Sequence, residues 1–117
     1  QFAGAYNPLI YFRNGEVFEV KADKMPIGIH IKDQEPFTNN VIEYQQGDTF
    51  YIFSDGYVSQ FGGDDGKKFM SKPFKNLLGT IQDKDMDEQL KVIDKALVDW
   101  QGNTDQVDDI SVIGFRL

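Results

Sequence analysis

Two short apolar runs in this chain each abut an aspartate motif, and that pairing limits what the chain can fold into. Thr49-Phe50-Tyr51-Ile52-Phe53 runs into Ser54-Asp55-Gly56, and Val107-Asp108-Asp109-Ile110-Ser111 opens the last run, Val112 to Leu117. Both runs are rich in aromatic and β-branched residues and bounded by turn residues, which is the pattern of strands. An Asp at the exit of one strand and an Asp at the entry of an antiparallel neighbour meet at the same edge of a sheet. No Lys or Arg stands beside either motif, so carboxylates gathered there either repel each other or hold a cation.

The rest of the chain reads as a sheet with helices added late. Phe2 to Ala5 is a short strand, and Tyr6-Asn7-Pro8 is a turn. Leu9–Arg13 and Glu16–Lys21 flank Asn14-Gly15, the strongest short hairpin signal, because both central residues of a type I′ turn need positive φ. Strands are also expected near Ile29 to Ile31, entered from the loop Lys24 to Ile29, and over Phe37 to Tyr44. Gly62 to Lys68 is glycine-rich and charged, with nothing to bury, and reads as a mobile surface loop. Pro73 to Ile81 has Phe74, Leu77, Leu78 and Ile81 at helical spacing. A longer helix follows, with Asp85 as N-cap, Glu88 completing a capping box, a stripe of Leu90, Ile93, Leu97 and Trp100, and Gly102 past its end. The last strand, Ile110 to Leu117, is apolar almost throughout and is expected to be central and covered on both faces. About six strands and two helices result, in a mostly antiparallel α+β layer structure.

Composition removes several classes of function. At 117 residues the chain can hold one modest core. A net charge of -7 argues against a nucleic-acid partner, since phosphate backbones are bound by basic stripes. There is no cysteine, which rules out disulfides and thiolate metal sites and fits a reducing compartment, with the cytoplasm as the expected location. No apolar run is long enough to span a bilayer, although a longer parent tethered to a membrane stays open. The chain starts at Gln1-Phe2-Ala3 within a strand pattern, so it is expected to be a piece of a longer protein.

The chemistry then narrows to hard cations. Asp-Gly is most often only a turn, and an acidic strand entry is most often only solvated. Against this, Asp55 leaves a strand that reads as buried, Gly56 permits close backbone approach and offers a carbonyl ligand, and an acidic pair opens the partner strand. Carboxylate and carbonyl oxygens suit Mg or Mn better than Zn. Metal-bound water ionises near neutral pH and the ions neutralise a phosphoryl group. With a single His and no Cys, a nucleophilic triad lacks parts, and His30 reads as solvated or structural.

Ser54-Asp55-Gly56-Tyr57-Val58 and Asp108-Asp109-Ile110-Ser111 resemble two signature motifs of the PPM-type metal-dependent protein serine/threonine phosphatases, in the bacterial branch named after stage II sporulation protein E. Ala3-Gly4-Ala5-Tyr6-Asn7-Pro8-Leu9 with Asn14-Gly15 is similar to a hairpin of that branch, and Met25-Pro26-Ile27-Gly28 to its Pro-Leu-Gly loop. The resemblance spans essentially the whole chain. It implies a β-sandwich of two antiparallel sheets with outer helices and a two-metal centre of Mg2+ or Mn2+. Metal would be held at Asp55 and Asp108, beside the carbonyl ligand that Gly56 offers and with the adjacent Asp109 as a lesser candidate, and water on it would hydrolyse phosphoserine or phosphothreonine. The implied substrate is a regulatory phosphoprotein, such as an anti-sigma-factor antagonist. The family's earlier metal-binding Asp motifs have no counterpart here, so the centre is expected to be incomplete and the isolated fragment inactive. Cut sheet edges suggest a homodimer. The alternative is a partner-binding signalling module of the same fold without catalysis.

Overall fold

The computed structural model describes residues 1–4, 6–23 and 36–117. Its most local feature is the expected hairpin. Asn14 and Gly15 take φ of 51° and 79°, as a type I′ turn demands. They join β1 (Leu9–Arg13) to β2 (Glu16–Val20) in antiparallel register. Strand β3 (Thr49–Phe53) pairs with the other side of β1, and the last strand then pairs with β3.

After β3 comes one helical turn, α1 (Gly56–Ser59), which the sequence pattern did not announce. A small ribbon follows, made of β4 (Phe61–Gly62) and β5 (Lys67–Lys68). Helix α2 spans Ser71–Thr80, and its Pro73 sits in the first turn, where no helical N–H is lost. Helix α3 spans Met86–Gln101; the Asp85 side chain accepts a hydrogen bond from the Glu88 N–H at 2.8 Å, and Gly102 closes the helix at φ 54°. The chain ends in β6 (Val112–Arg116). Together these make a mixed α+β partial domain, with a four-stranded antiparallel sheet in the order β2-β1-β3-β6 and three helices among the described residues.

The period-two alternation of β1 and β3 sorts their side chains onto two faces. Ile10, Phe12, Tyr51 and Phe53 point at the helices and pack with Tyr57, Phe74, Leu78, Ile81 and Ile93. Phe74 is the hinge of this core, its ring 5.0 Å from that of Phe53 and 4.9 Å from that of Tyr57. The Tyr51 hydroxyl donates to Gln89 Oε1 at 2.5 Å and accepts from Gln82 Nε2 at 2.7 Å, so this buried hydroxyl is satisfied. On the opposite face Phe18, Tyr11, Phe50 and Phe115 form a cross-strand stack with centroid spacings of 5.0, 5.2 and 5.3 Å. Each such pair is worth about 0.5–1.5 kcal/mol beyond its burial.

Several expectations need correction. Strand β6 is an edge strand with Ile113 58% and Phe115 40% exposed, not a central strand covered on both faces. Its apolar run reflects two faces that want cover, which the described residues do not supply. Phe37 to Tyr44 is not a strand: only Asn40 makes a β-bridge, to Phe2, and Phe2 itself belongs to no longer strand. Residues 62 to 68 are an ordered ribbon rather than a free loop, because Gly62 and Gly63 pack against Trp100. A Cβ on Gly62 would lie 2.6 Å from the Trp100 carbonyl carbon, and one on Gly63 would lie 2.7 Å from the indole. Leu90 is 64% exposed while Gln89 is buried, so α3 is turned from the expected stripe. His30, the Met25-Pro26-Ile27-Gly28 loop and the strand expected at Ile29 to Ile31 lie outside the described residues. Among the described residues no helix is long and apolar enough to cross a membrane.

The hairpin is locked to the turn before β3 by a half-buried ion pair. Asp48, 2% exposed, accepts from Arg13 Nε at 3.1 Å and Nη2 at 2.7 Å, and from the Gln45 N–H at 2.8 Å. The hydrogen bond from Arg13 holds the carboxyl below its ordinary value of 3.8, against the opposing effect of burial. A carboxyl whose folded pKa is depressed contributes stability above its unfolded value and loses it as pH falls toward the folded one. The chain is therefore expected to lose stability steeply below about pH 4. In Asp48→Asn the chain should be weaker at neutral pH, with a flatter acid limb; urea midpoints measured from pH 7 to pH 2.5 check this, and an unchanged acid limb would remove Asp48 as its cause.

Candidate metal site

The site grows out of the end of β3. Ser54, the first residue past the strand, continues the ladder by donating its N–H to the Ser111 carbonyl at 2.9 Å. Its hydroxyl then accepts from the Ser111 N–H at 2.9 Å and donates to the Asp109 carbonyl at 3.0 Å. One small side chain thus clasps the two segments that carry the acidic motifs. Ser54 was legible only as part of its motif; nothing local signals that its hydroxyl reaches across more than fifty residues.

Asp55 follows at the start of α1, with φ -65° and ψ -18°, and its carboxylate makes no capping hydrogen bond. An Asp that served only to start a helix would spend its oxygens on the first-turn N–H groups. Asp55 leaves them free and is exposed. Gly56 is buried and lies flat against the backbone of Asp109. A Cβ there would fall 2.8 Å from the Asp109 carbonyl carbon and 2.9 Å from Ile110 Cγ1, with the carbonyl oxygen closer still. Only glycine lets the two segments approach this far.

Asp108 and Asp109 are both exposed. Gln106 Nε2 donates to the Asp108 carbonyl at 2.9 Å, tying the acidic stretch to itself. Asp55, Gly56 and Asp109 are thereby brought to one end of the β3–β6 pair, with Asp108 one residue further along the same loop. Behind them α1 is fixed to α3, because the Tyr57 hydroxyl donates to the Ile93 carbonyl at 2.7 Å. Burial, with Asp94 nearby, pushes the Tyr57 phenol up to about 12, so it stays protonated and keeps this bond.

The donors at this edge are carboxylates and backbone carbonyls, the kind a hard divalent cation takes. Among the described residues no three His, Cys, Asp or Glu side chains are grouped to hold one ion. The set therefore fits such a cation in kind and falls short of a full shell in number.

The antiparallel sheet backed by helices matches the fold of PP2C-type phosphatase domains, which are metal-dependent enzymes, and here the aspartate motifs join at the end of its β3–β6 edge pair. The profile of the Stage II sporulation protein E (SpoIIE) family matches residues 2–117, and the chain belongs to that family. Among solved structures it is similar to the SiaA PP2C domain of Pseudomonas aeruginosa, with 32% identity, a TM-score of 0.86, and coverage of 98% of this chain and 44% of that one. It also shares the fold of the PP2C phosphatase domain of SpoIIE from Bacillus subtilis, solved with a fragment of its regulatory domain, at 21% identity and a TM-score of 0.72, covering 96% of this chain and 32% of that one. The phosphatase domain of SpoIIE from Bacillus subtilis in a crystal form without domain swapping matches at 19% identity and a TM-score of 0.57, over 93% and 45% of the respective chains. The chain thus spans less than half the length of each of these solved chains. No curated protein matches it.

Proposed function

We propose that this chain is the C-terminal portion of a protein serine/threonine phosphatase domain that acts on a phosphorylated regulatory protein in bacterial signalling. The observation that carries the reading is the Ser54 clasp, which joins the Asp55 turn to the Asp109 backbone at one sheet edge. In this reading Asp55 and Asp108 are metal ligands, Gly56 and Asp109 stand beside them, and the metal is Mg2+ or Mn2+. When bound, such ions supply activated water and neutralise phosphoryl charge. The chain's own residues hold the oxygens in place: Ser54 fixes the spacing of the two segments, Gly56 permits it, and Tyr57 braces the turn from behind. An anti-sigma-factor antagonist is one phosphoprotein of the proposed substrate class.

A further part of the reading is that the remaining ligands come from the length of the solved phosphatase chains that this chain does not cover. The 117-residue chain should therefore hydrolyse phosphopeptides hardly at all, and a chain of its relatives' length should be active with Mn2+. In that longer chain Asp55→Asn and Asp108→Asn should each weaken Mn2+ binding by about 100-fold or more, since even groups behind the ligands of metal sites cost 10–100-fold. Calorimetric titration of Mn2+ and phosphopeptide turnover read the two effects separately. Wild-type metal affinity in either variant would sink the assignment of that residue.

A further inference from the structure

Gln60 belongs to no acidic motif, yet it is the most connected buried polar residue near the site. It follows α1 directly and is 0% exposed. Its backbone carbonyl accepts from Trp100 Nε1 at 2.9 Å and from the Phe69 N–H at 3.0 Å. Its side-chain Nε2 donates to the carbonyls of Phe61 and Asp105, each at 3.0 Å. Trp100 in turn accepts from the Gly63 N–H at 2.8 Å, so the ribbon, the end of α3 and the start of the acidic stretch all meet at this residue.

The other side-chain atom makes the case sharper. Gln60 Oε1 is buried without a hydrogen-bond partner among the described residues. An unpaired buried amide oxygen is a standing cost, and an apolar residue of similar shape would fill the space without it. What the amide adds is the Nε2 donor. Of its two bonds, one stays with the next residue and the other reaches 45 positions along the chain, to a carbonyl three residues ahead of Asp108.

We infer that Gln60 is a positioning residue, whose bond to the Asp105 carbonyl holds the Asp105–Asp109 stretch in register with the Asp55 turn and couples it to the β4–β5 ribbon. Its chemical consequence rests on the proposed metal role of Asp108, but the positioning itself does not. Among the described residues Asp105 to Asp109 have little else to restrain them, being exposed, with the Gln106 side chain bonded within the same stretch. The Ser54 clasp fixes the far end at Asp109, and Gln60 fixes the near end.

The test is Gln60→Met in the 117-residue chain, which keeps the volume, removes the donor and removes the orphan oxygen. Backbone 15N relaxation is measured without metal. The order parameters of Gln106 to Asp109 should fall from near 0.85, the rigid value, to below about 0.6, while those of β1 and β3 stay unchanged. Thermal stability should change little, because the orphan oxygen is removed while the Phe61 and Asp105 carbonyls lose their donor. If this variant does not fold, Gln60→Leu, which is smaller, apolar and also lacks the donor, is judged by the same readout. Unchanged order parameters over Gln106 to Asp109, or a uniform fall across the whole chain, would overturn the inference. In a longer active chain the same variant should weaken Mn2+ binding by at least about tenfold, a coupling of the usual allosteric size. Because the relaxation readout needs no metal, failure of the metal reading leaves it intact, and Asp55→Asn, which should abolish metal binding, should leave the loop's order unchanged.

Discussion

Gly56→Ala is expected to disable the site and destabilise the fold together, by about 3 kcal/mol. The added methyl would overlap the Asp109 carbonyl group and press on Ile110 Cγ1 at 2.9 Å. The obstacle is backbone and cannot swing aside like a flexible side chain. Nor is it free to retreat as a unit, because Ser54 bonds to Asp109 on one side and to Ser111 on the other. The strand end must either break that clasp or drag β6 off β3. A suitable comparison is Gly79→Ala in α2, where the nearest atom to the new methyl would be Phe12 at an ordinary 3.7 Å. That change should stabilise the chain by up to about 1 kcal/mol, because alanine is the better helix former. Urea midpoints of opposite sign for the two variants are the expected result. Equal and small shifts would mean that the Asp55 turn and the Asp109 segment are not in contact.

The contrast between these glycines separates what was legible in the sequence from what was not. Signals complete within a few residues were read directly. Asn14-Gly15 specifies its own turn, and the Asp85-to-Glu88 cap starts α3 where it should. The acidic motifs were also legible, because an Asp beside a buried run is itself a local pattern. What could not be read is chemistry whose two halves lie far apart. The Ser54 hydroxyl and the Gln60 amide are polar residues like many others until the fold supplies Asp109 and Asp105 as partners. Gln89 is buried with its amide bonded to the Tyr51 hydroxyl and the Lys84 carbonyl, and Leu90 lies outside. The glycines at 62 and 63 looked like freedom and are instead the space taken by Trp100. In each case long-range packing overrides the local preference.

Strand β6 is the most instructive of these, and it leads to the second large effect. Its sequence asks for neighbours on both sides, yet β3 is its sole partner among the described residues. The open edge carries Ile113 and Phe115, and Phe115 ends the aromatic stack that crosses the whole sheet. An edge strand that is apolar on its exposed face templates pairing with another strand. In solution a second copy of the 117-residue chain is the partner at hand, and light scattering should show a dimer at high concentration. A charge of -7 on each copy opposes this, so association should strengthen as salt screens the repulsion. Ile113→Lys places a charge on the pairing face of both copies. In a two-fold interface each substitution counts twice, so a cost of about 1.4 kcal/mol per copy weakens the dimer by about 100-fold. A dimer indifferent to this change would place the contact elsewhere. A clean monomer at high concentration would mean that charge repulsion outweighs the exposed apolar face. The solved phosphatase chains extend well beyond the part matched here. If that additional length is what covers β6, a chain extended to match them should stay monomeric under conditions where the shorter one pairs.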